Sequence, residues 1–129
     1  MEAWPEPRAG AHAIALLGAL AGAPRLDLTL VHDDFERALA ALALAAPGSI
    51  DAVFLDGFAP AKNPGAWSPA VFEALGRAVR AGGTAATWSI AGVARRGLAA
   101  AGFVVTRVPG HGPKRERIEA VRAQPQRST

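Results

Sequence analysis

A chain of 129 residues, half of them hydrophobic but only 6% aromatic, has room for one ordinary core, built mainly from Ala, Val, Leu and Ile rather than from large rings. The absence of cysteine excludes disulfides, thiolate metal sites and a cysteine nucleophile together, and agrees with a reducing cytoplasm. The formal net charge of +3 is modest, but Lys114, Arg115 and Arg117 lie close together near the end, and a local cluster of cations points to a polyanion more than the whole-chain charge does.

Residues 1–10 carry Pro5, Pro7 and Gly10 and offer no periodic face, so residues 1–24 are read as a lead-in segment. The apolar stretch 13–23 contains two glycines and falls well short of the roughly 20 residues that span a bilayer, so a soluble protein is expected. Helix propensity is present over residues 13–21, but Leu26, Leu28 and Leu30 alternate with Asp27 and Thr29, and this period of two predicts a strand after Pro24. Over residues 34–46, Phe35, Ala38, Leu39, Leu42 and Ala45 recur at helical spacing, with Asp33 or Asp34 placed to cap the first turn and Pro47-Gly48 placed to stop it. Residues 52–55 form a short apolar run bounded by Asp51 and by Asp56-Gly57, the pattern of a central strand buried on both faces.

A loop holding Pro60, Asn63, Pro64 and Gly65 follows, and Ser68-Pro69 opens a helix through Val71, Phe72, Leu75 and Val79 that is expected to end at Gly82-Gly83. Residues 84–88 read as a strand, 93–101 as a helix and 103–108 as a strand; after a break at residues 110–113, residues 117–121 form a last strand returning beside its predecessor. The alternation of strands and helices predicts an α/β fold with a parallel sheet and crossover helices.

The sharpest chemical feature is Asp56, where a buried strand gives way to a loop. Ligands of open α/β sheets bind outside the carboxyl ends of strands, and a carboxylate there can accept a hydrogen bond from an amine. For methyl transfer to nitrogen the amine must present a lone pair in line, and a carboxylate that orients it or takes its proton lowers the barrier. Phe58 could stack on a flat base and Pro60 would stiffen the loop; on spacing alone, a plain Asp-Gly turn with Phe58 capping the core is the better account. Asp33 and Asp34 serve either a nucleoside or the following helix as a cap. His12 and His32 are too isolated for a metal site, and none is expected. Lys114, Arg115 and Arg117 either contact phosphates, with Gly110 and Gly112 allowing close approach, or guard a solvated edge strand. Arg95 and Arg96 are read as surface groups.

The string Asp51-Ala52-Val53-Phe54-Leu55-Asp56-Gly57-Phe58-Ala59-Pro60-Ala61-Lys62-Asn63-Pro64, followed by Trp67, closely resembles the methyltransferase domain of the MnmC-type tRNA-modification enzymes. Trp4-Pro5, Gly10 and His12, Asp34, Thr87-Trp88, Arg95-Arg96-Gly97-Leu98, Ala101-Gly102-Phe103 and the Gly110, Gly112, Lys114-Arg115-Glu116 ending extend the likeness over nearly the whole chain. The resemblance implies a partial Rossmann-like class I methyltransferase fold: α/β, with a mostly parallel sheet and a C-terminal antiparallel strand. It implies methyl transfer from S-adenosylmethionine to the exocyclic amine of 5-aminomethyl-2-thiouridine at the tRNA wobble position, in the cytoplasm, with tRNA as partner and often a flavin-dependent oxidoreductase fused in relatives. Carried over by position, Asp56 stands at the target amine, Asp34 on the adenosine side of the cofactor, Phe58 and Pro60 at the substrate, and Lys114 and Arg115 where RNA is gripped. His111 and Arg117 depart from the Phe and Met usual at those positions, which changes the packing expected at the rim.

A glycine-rich turn after a first strand and an acidic residue after a second, which bring backbone amides against such a cofactor, are not found in this sequence. The chain is therefore expected to be the C-terminal part of one methyltransferase domain, from a truncated or remnant enzyme, with residues 122–129 as a polar tail. Buried strand amides without partners cost about 1–3 kcal/mol each, so the chain alone is expected to fold poorly and bind S-adenosylmethionine weakly. Two other functions fit the same residues: a non-catalytic RNA- or partner-binding module that keeps the basic ending, and a small-molecule N-methyltransferase on the same scaffold.

Overall fold

The computed structural model describes residues 10–16, 26–56, 64–113 and 115–124, which fall into two compact units, Met1–Asp34 and Phe35–Thr129. In the first unit, β1 (Gly10–Leu16) and β2 (Leu26–His32) pair antiparallel, with Gly10 opposite His32 and Leu16 opposite Leu26. β2 follows the alternation of leucines. β1 falls inside the segment read as lead-in and takes residues for which helix propensity was the local signal. Propensity differences of tenths of a kcal/mol per residue are small beside the chance to satisfy a whole row of backbone groups against β2.

The second unit runs α1 (Phe35–Ala45), β3 (Ile50–Phe54), a short 3-10 turn (Pro64–Trp67), α2 (Pro69–Ala78), β4 (Val79–Thr87), α3 (Gly92–Ala100), β5 (Phe103–Pro109) and β6 (Glu116–Arg122). Its sheet has the order β3-β4-β6-β5. β3 and β4 pair parallel, and β6 pairs antiparallel with both β4 and β5. Three strands thus share one direction and the last returns beside its predecessor, inserted between it and β4. This is a mixed α/β architecture consistent with a partial Rossmann-like methyltransferase fold.

Helix α2 starts as its sequence specifies: Pro69 occupies the first turn, and the Ser68 hydroxyl oxygen accepts the Val71 N–H at 3.3 Å. The same hydroxyl donates to Glu36 of α1 at 3.2 Å. The end differs from expectation. The helix stops at Ala78, Val79 turns extended, and Gly82-Gly83 lie inside β4 rather than at a helix cap. Between the pairs Ile50–Val79 and Ala52–Thr84, β4 advances five residues while β3 advances two, a bulge that needs backbone freedom. Gly82 supplies a φ of +78°, and a Cβ on Gly83 would stand 2.6 Å from Val79 Cγ1 and 2.8 Å from the Arg80 carbonyl oxygen.

The core lies between the helices and one face of the sheet. Leu55, Ala85, Thr87, Phe103, Ile118 and Ala120 are buried there beneath Leu39 and Ala43 of α1, Val71, Phe72 and Leu75 of α2, and Ala94 and Leu98 of α3. The other face carries Phe54, Val104 and Val121, which are 80%, 62% and 47% exposed. Strand β3, expected at the centre and buried on both faces, stands at the end of this four-strand order with one face open. Its Ile50 and Val53, and Leu55 just beyond it, pack into the core, while the pleat turns Phe54 away. Among the described residues no helix is long and apolar enough to cross a membrane.

Two stability measurements test this packing. Leu98→Ala, at a fully buried position on α3, is expected to lower the unfolding free energy by about 2–5 kcal/mol in urea titration. Gly83→Ala is expected to cost about 1–3 kcal/mol by the same assay, because the new methyl meets backbone as well as side chain; an unchanged midpoint would contradict the bulge.

Candidate active site

The β3–β4 ladder continues one step past β3, with the Leu55 N–H donating to the Ala86 carbonyl at 2.9 Å. Asp56 is the next residue, exposed at the carboxyl end of the strand. Because side chains alternate, Asp56 shares the face of Phe54 while Leu55 points into the core. Phe54, Asp56, Ala86, Thr87, Trp88, Arg117 and Glu119 together line a cavity of about 210 Å³.

Each wall has a local cause. At the end of β4, Thr87 Oγ1 accepts the Ser89 N–H at 3.1 Å and Ser89 Oγ accepts the Ala91 N–H at 3.4 Å. These two side-chain turns lead the backbone out of the strand and into α3, leaving Trp88 half-buried between them. From the other side, antiparallel pairing of β6 sets Glu119 opposite Ala86 and Ile118 opposite Thr87. Arg117, two residues earlier on the same face, donates from Nη2 to Glu119 Oε1 at 2.8 Å and from Nη1 to the Pro109 carbonyl. The cavity therefore combines two carboxylates, two aromatic rings and a guanidinium already held by a carboxylate and a carbonyl. Such a set can accept N–H groups and pack a flat ring.

The structure distributes the other sequence-predicted residues unevenly. Phe58, Pro60 and Lys114 lie outside the described residues. Asp34 ends the first unit, exposed, with its N–H donated to Asp33 Oδ1 at 2.7 Å. Arg115 is exposed on the hairpin between β5 and β6, where its carbonyl accepts the Gly110 N–H at 3.0 Å. It is not among the residues around the Asp56 cavity, whose cation is Arg117. Arg117 was grouped with the phosphate contacts by its place in the sequence, yet its guanidinium is engaged by Glu119 and Pro109. Glu119 carries no motif and was missed; the available signal was its spacing of two from Arg117 on the last strand. Arg95, read as a surface group, is half-buried with its Nε enclosed and without a hydrogen-bond partner among the described residues, whereas Arg96 is exposed. Among the described residues no group of three or more His, Asp or Glu is placed to hold a metal ion.

Residues 1–123 match the family of S-adenosyl-L-methionine-dependent methyltransferases. Over 126 residues the chain is 45% identical to the tRNA 5-methylaminomethyl-2-thiouridine biosynthesis bifunctional protein MnmC of Aeromonas hydrophila subsp. hydrophila, an alignment covering 98% of this chain and 18% of that relative. The proteins of the same name from Ralstonia nicotianae and Cupriavidus necator are 46% and 47% identical over 115 and 111 residues, covering 89% and 86% of this chain and 16% of each relative. The chain thus spans less than a fifth of the length of these curated relatives. With a strand-end carboxylate at the mouth of a sheet of the expected topology and a family match over almost its entire length, the chain belongs to the S-adenosyl-L-methionine-dependent methyltransferases.

Proposed function

We propose that this chain forms the acceptor side of a tRNA methyltransferase domain that methylates the exocyclic amine of 5-aminomethyl-2-thiouridine at the wobble position, with Asp56 at the amine. The observation that carries the reading is Asp56 itself: an exposed carboxylate at a strand's carboxyl end, beside Trp88 and Phe54, in a cavity of about 210 Å³. That volume lies below the roughly 300–1,000 Å³ usual for small-molecule pockets. These residues are accordingly one wall of the site, suited to a carboxylate–amine contact and a flat ring, and not a cradle for a whole cofactor.

When bound, S-adenosylmethionine supplies an electrophilic methyl group. The rest of the chemistry asked of this chain is positional. The Asp56 carboxylate accepts an N–H of the acceptor amine, turning its lone pair outward and taking up the proton as the nitrogen becomes bonded. Trp88 and Phe54 offer apolar surface for the modified pyrimidine, and Phe58 and Pro60, two and four positions after Asp56 in the sequence, contact the same substrate. Lys114, and Arg115 on the β5–β6 hairpin, contact the RNA backbone as point and planar cations. Asp34 meets the adenosine side of the cofactor, and both units belong to one methyltransferase domain. A flavin-dependent oxidoreductase, fused or separate, supplies the aminomethyl substrate.

Asp56→Asn and Asp56→Ala are expected to lower methyl transfer to undermodified tRNA by about 100-fold or more, with tRNA affinity little changed; retained transfer would remove Asp56 from the reaction. Neutralising Lys114 and Arg115 together is expected to weaken tRNA binding and to flatten the plot of log affinity against log salt by roughly 0.7–0.9 per charge. An unchanged slope would place the RNA elsewhere and favour a small-molecule acceptor.

A further inference from the structure

A second concavity, of about 670 Å³, opens between the 3-10 turn, α2 and α3. It lies along the helical layer, whereas Asp56 stands at the ends of the strands, and the two cavities share no lining residue. Pro69, Val93 and Ala100 give it an accessible apolar lining above the buried rings of Trp67 and Phe72, and three arginines, Arg77, Arg96 and Arg122, stand around it with Glu73 as the one carboxylate. Arg77 pairs with Glu73 at 2.8 Å, both side chains being about two-thirds exposed at 63% and 66%, so that pair is net neutral though weakly held, and Arg96 and Arg122 leave the rim with an excess of cations. Arg122 donates its Nε to the Gly76 carbonyl at 2.8 Å, which fixes the guanidinium without cancelling its charge. Arg96 is exposed and makes no ion pair among the described residues. The indole Nε1–H of Trp67, a residue 5% exposed, is buried without a hydrogen-bond partner among the described residues.

The geometry points to this groove as a docking site for an acidic polypeptide segment that lays an apolar side chain against Pro69, Val93 and Ala100 and sets carboxylates against Arg77, Arg96 and Arg122. A rim with more cations than carboxylates selects an anionic occupant, and an apolar lining between two helices is the form in which amphipathic segments are recognised. RNA fits less well. Single-stranded bases stack on open aromatic faces, but Trp67 and Phe72, the aromatic residues of the lining, are only 5% and 4% exposed. Because the groove is separate from the Asp56 cavity, the docking holds whether or not that cavity methylates tRNA.

The test uses the whole chain and three labelled probes in fluorescence anisotropy. They are an amphipathic helical peptide of about 16 residues with Leu and Phe on one face and Glu on its flanks, the same peptide with Gln for Glu, and an anticodon stem-loop RNA. The acidic peptide is expected to bind saturably, and the Gln peptide about tenfold or more weakly. The double variant Arg77→Glu, Arg96→Glu is expected to lose the acidic peptide by a similar factor and to gain a peptide carrying Lys in place of Glu. That gain also shows that the variant remains folded. Absence of saturable binding by the acidic peptide overturns the proposal, as does binding insensitive to the charge reversals. Loss of the stem-loop RNA, but not of the acidic peptide, on reversal would assign the groove to RNA instead.

Discussion

The larger unit depends on β6 being hydrogen-bonded along both of its edges. Residues 118–121 pair with β4 while residues 116–122 pair with β5, so β4 and β5 share no ladder of their own and removal of β6 would divide the sheet. Its side chains reflect that place: Ile118 and Ala120 are 0% and 2% exposed beneath the helices. A strand in this position satisfies two rows of backbone groups at once, and burial without those partners would cost more than most single side-chain contacts return.

The same strand organises the candidate chemistry. Reversal of β6 brings its opening residues to the carboxyl ends of β3 and β4, and this is why Arg117 and Glu119 meet Asp56 across a cavity although more than 60 positions separate them in the chain. A parallel strand there would have delivered its other end. The guanidinium of Arg117 then bridges to Glu119 and to Pro109 at the close of β5, so the hairpin and the cavity wall are tied by one side chain. An arginine so held acts as a fixed dipolar wall and not as a mobile cation.

The two faces of the sheet are unequal. One is sealed by α1, α2 and α3, and the other presents Phe54, Val104 and Val121. Sheets with parallel strands are as a rule covered on both faces, and the relatives with which this chain shares its sequence are several times longer than it is. The apolar character of the open face follows from the strands' own composition. Val, Ala and Phe occupy positions of both parities in β3, β4 and β5, the pattern of strands whose sequences suit burial on both sides.

The sequence by itself determined the kinds and order of most elements, because their signals are local. The leucine alternation of β2, the Ser68-Pro69 start of α2, the apolar run before Asp56 and the glycine break before β6 each depend on neighbours a few residues away. It also determined the position of Asp56 at a strand end and, through the motif around it, the family. Only the tertiary structure decided that residues 10–16 form a strand, since the pairing with β2 outweighs a weak helical preference, and that Gly82-Gly83 make a bulge, since the register between β3 and β4 is a property of two strands. It alone placed β3 at the end of the four-strand order, brought Glu119 to the wall of the Asp56 cavity and enclosed Arg95. Those outcomes depend on which segments meet in space, and a one-dimensional pattern carries no term for that.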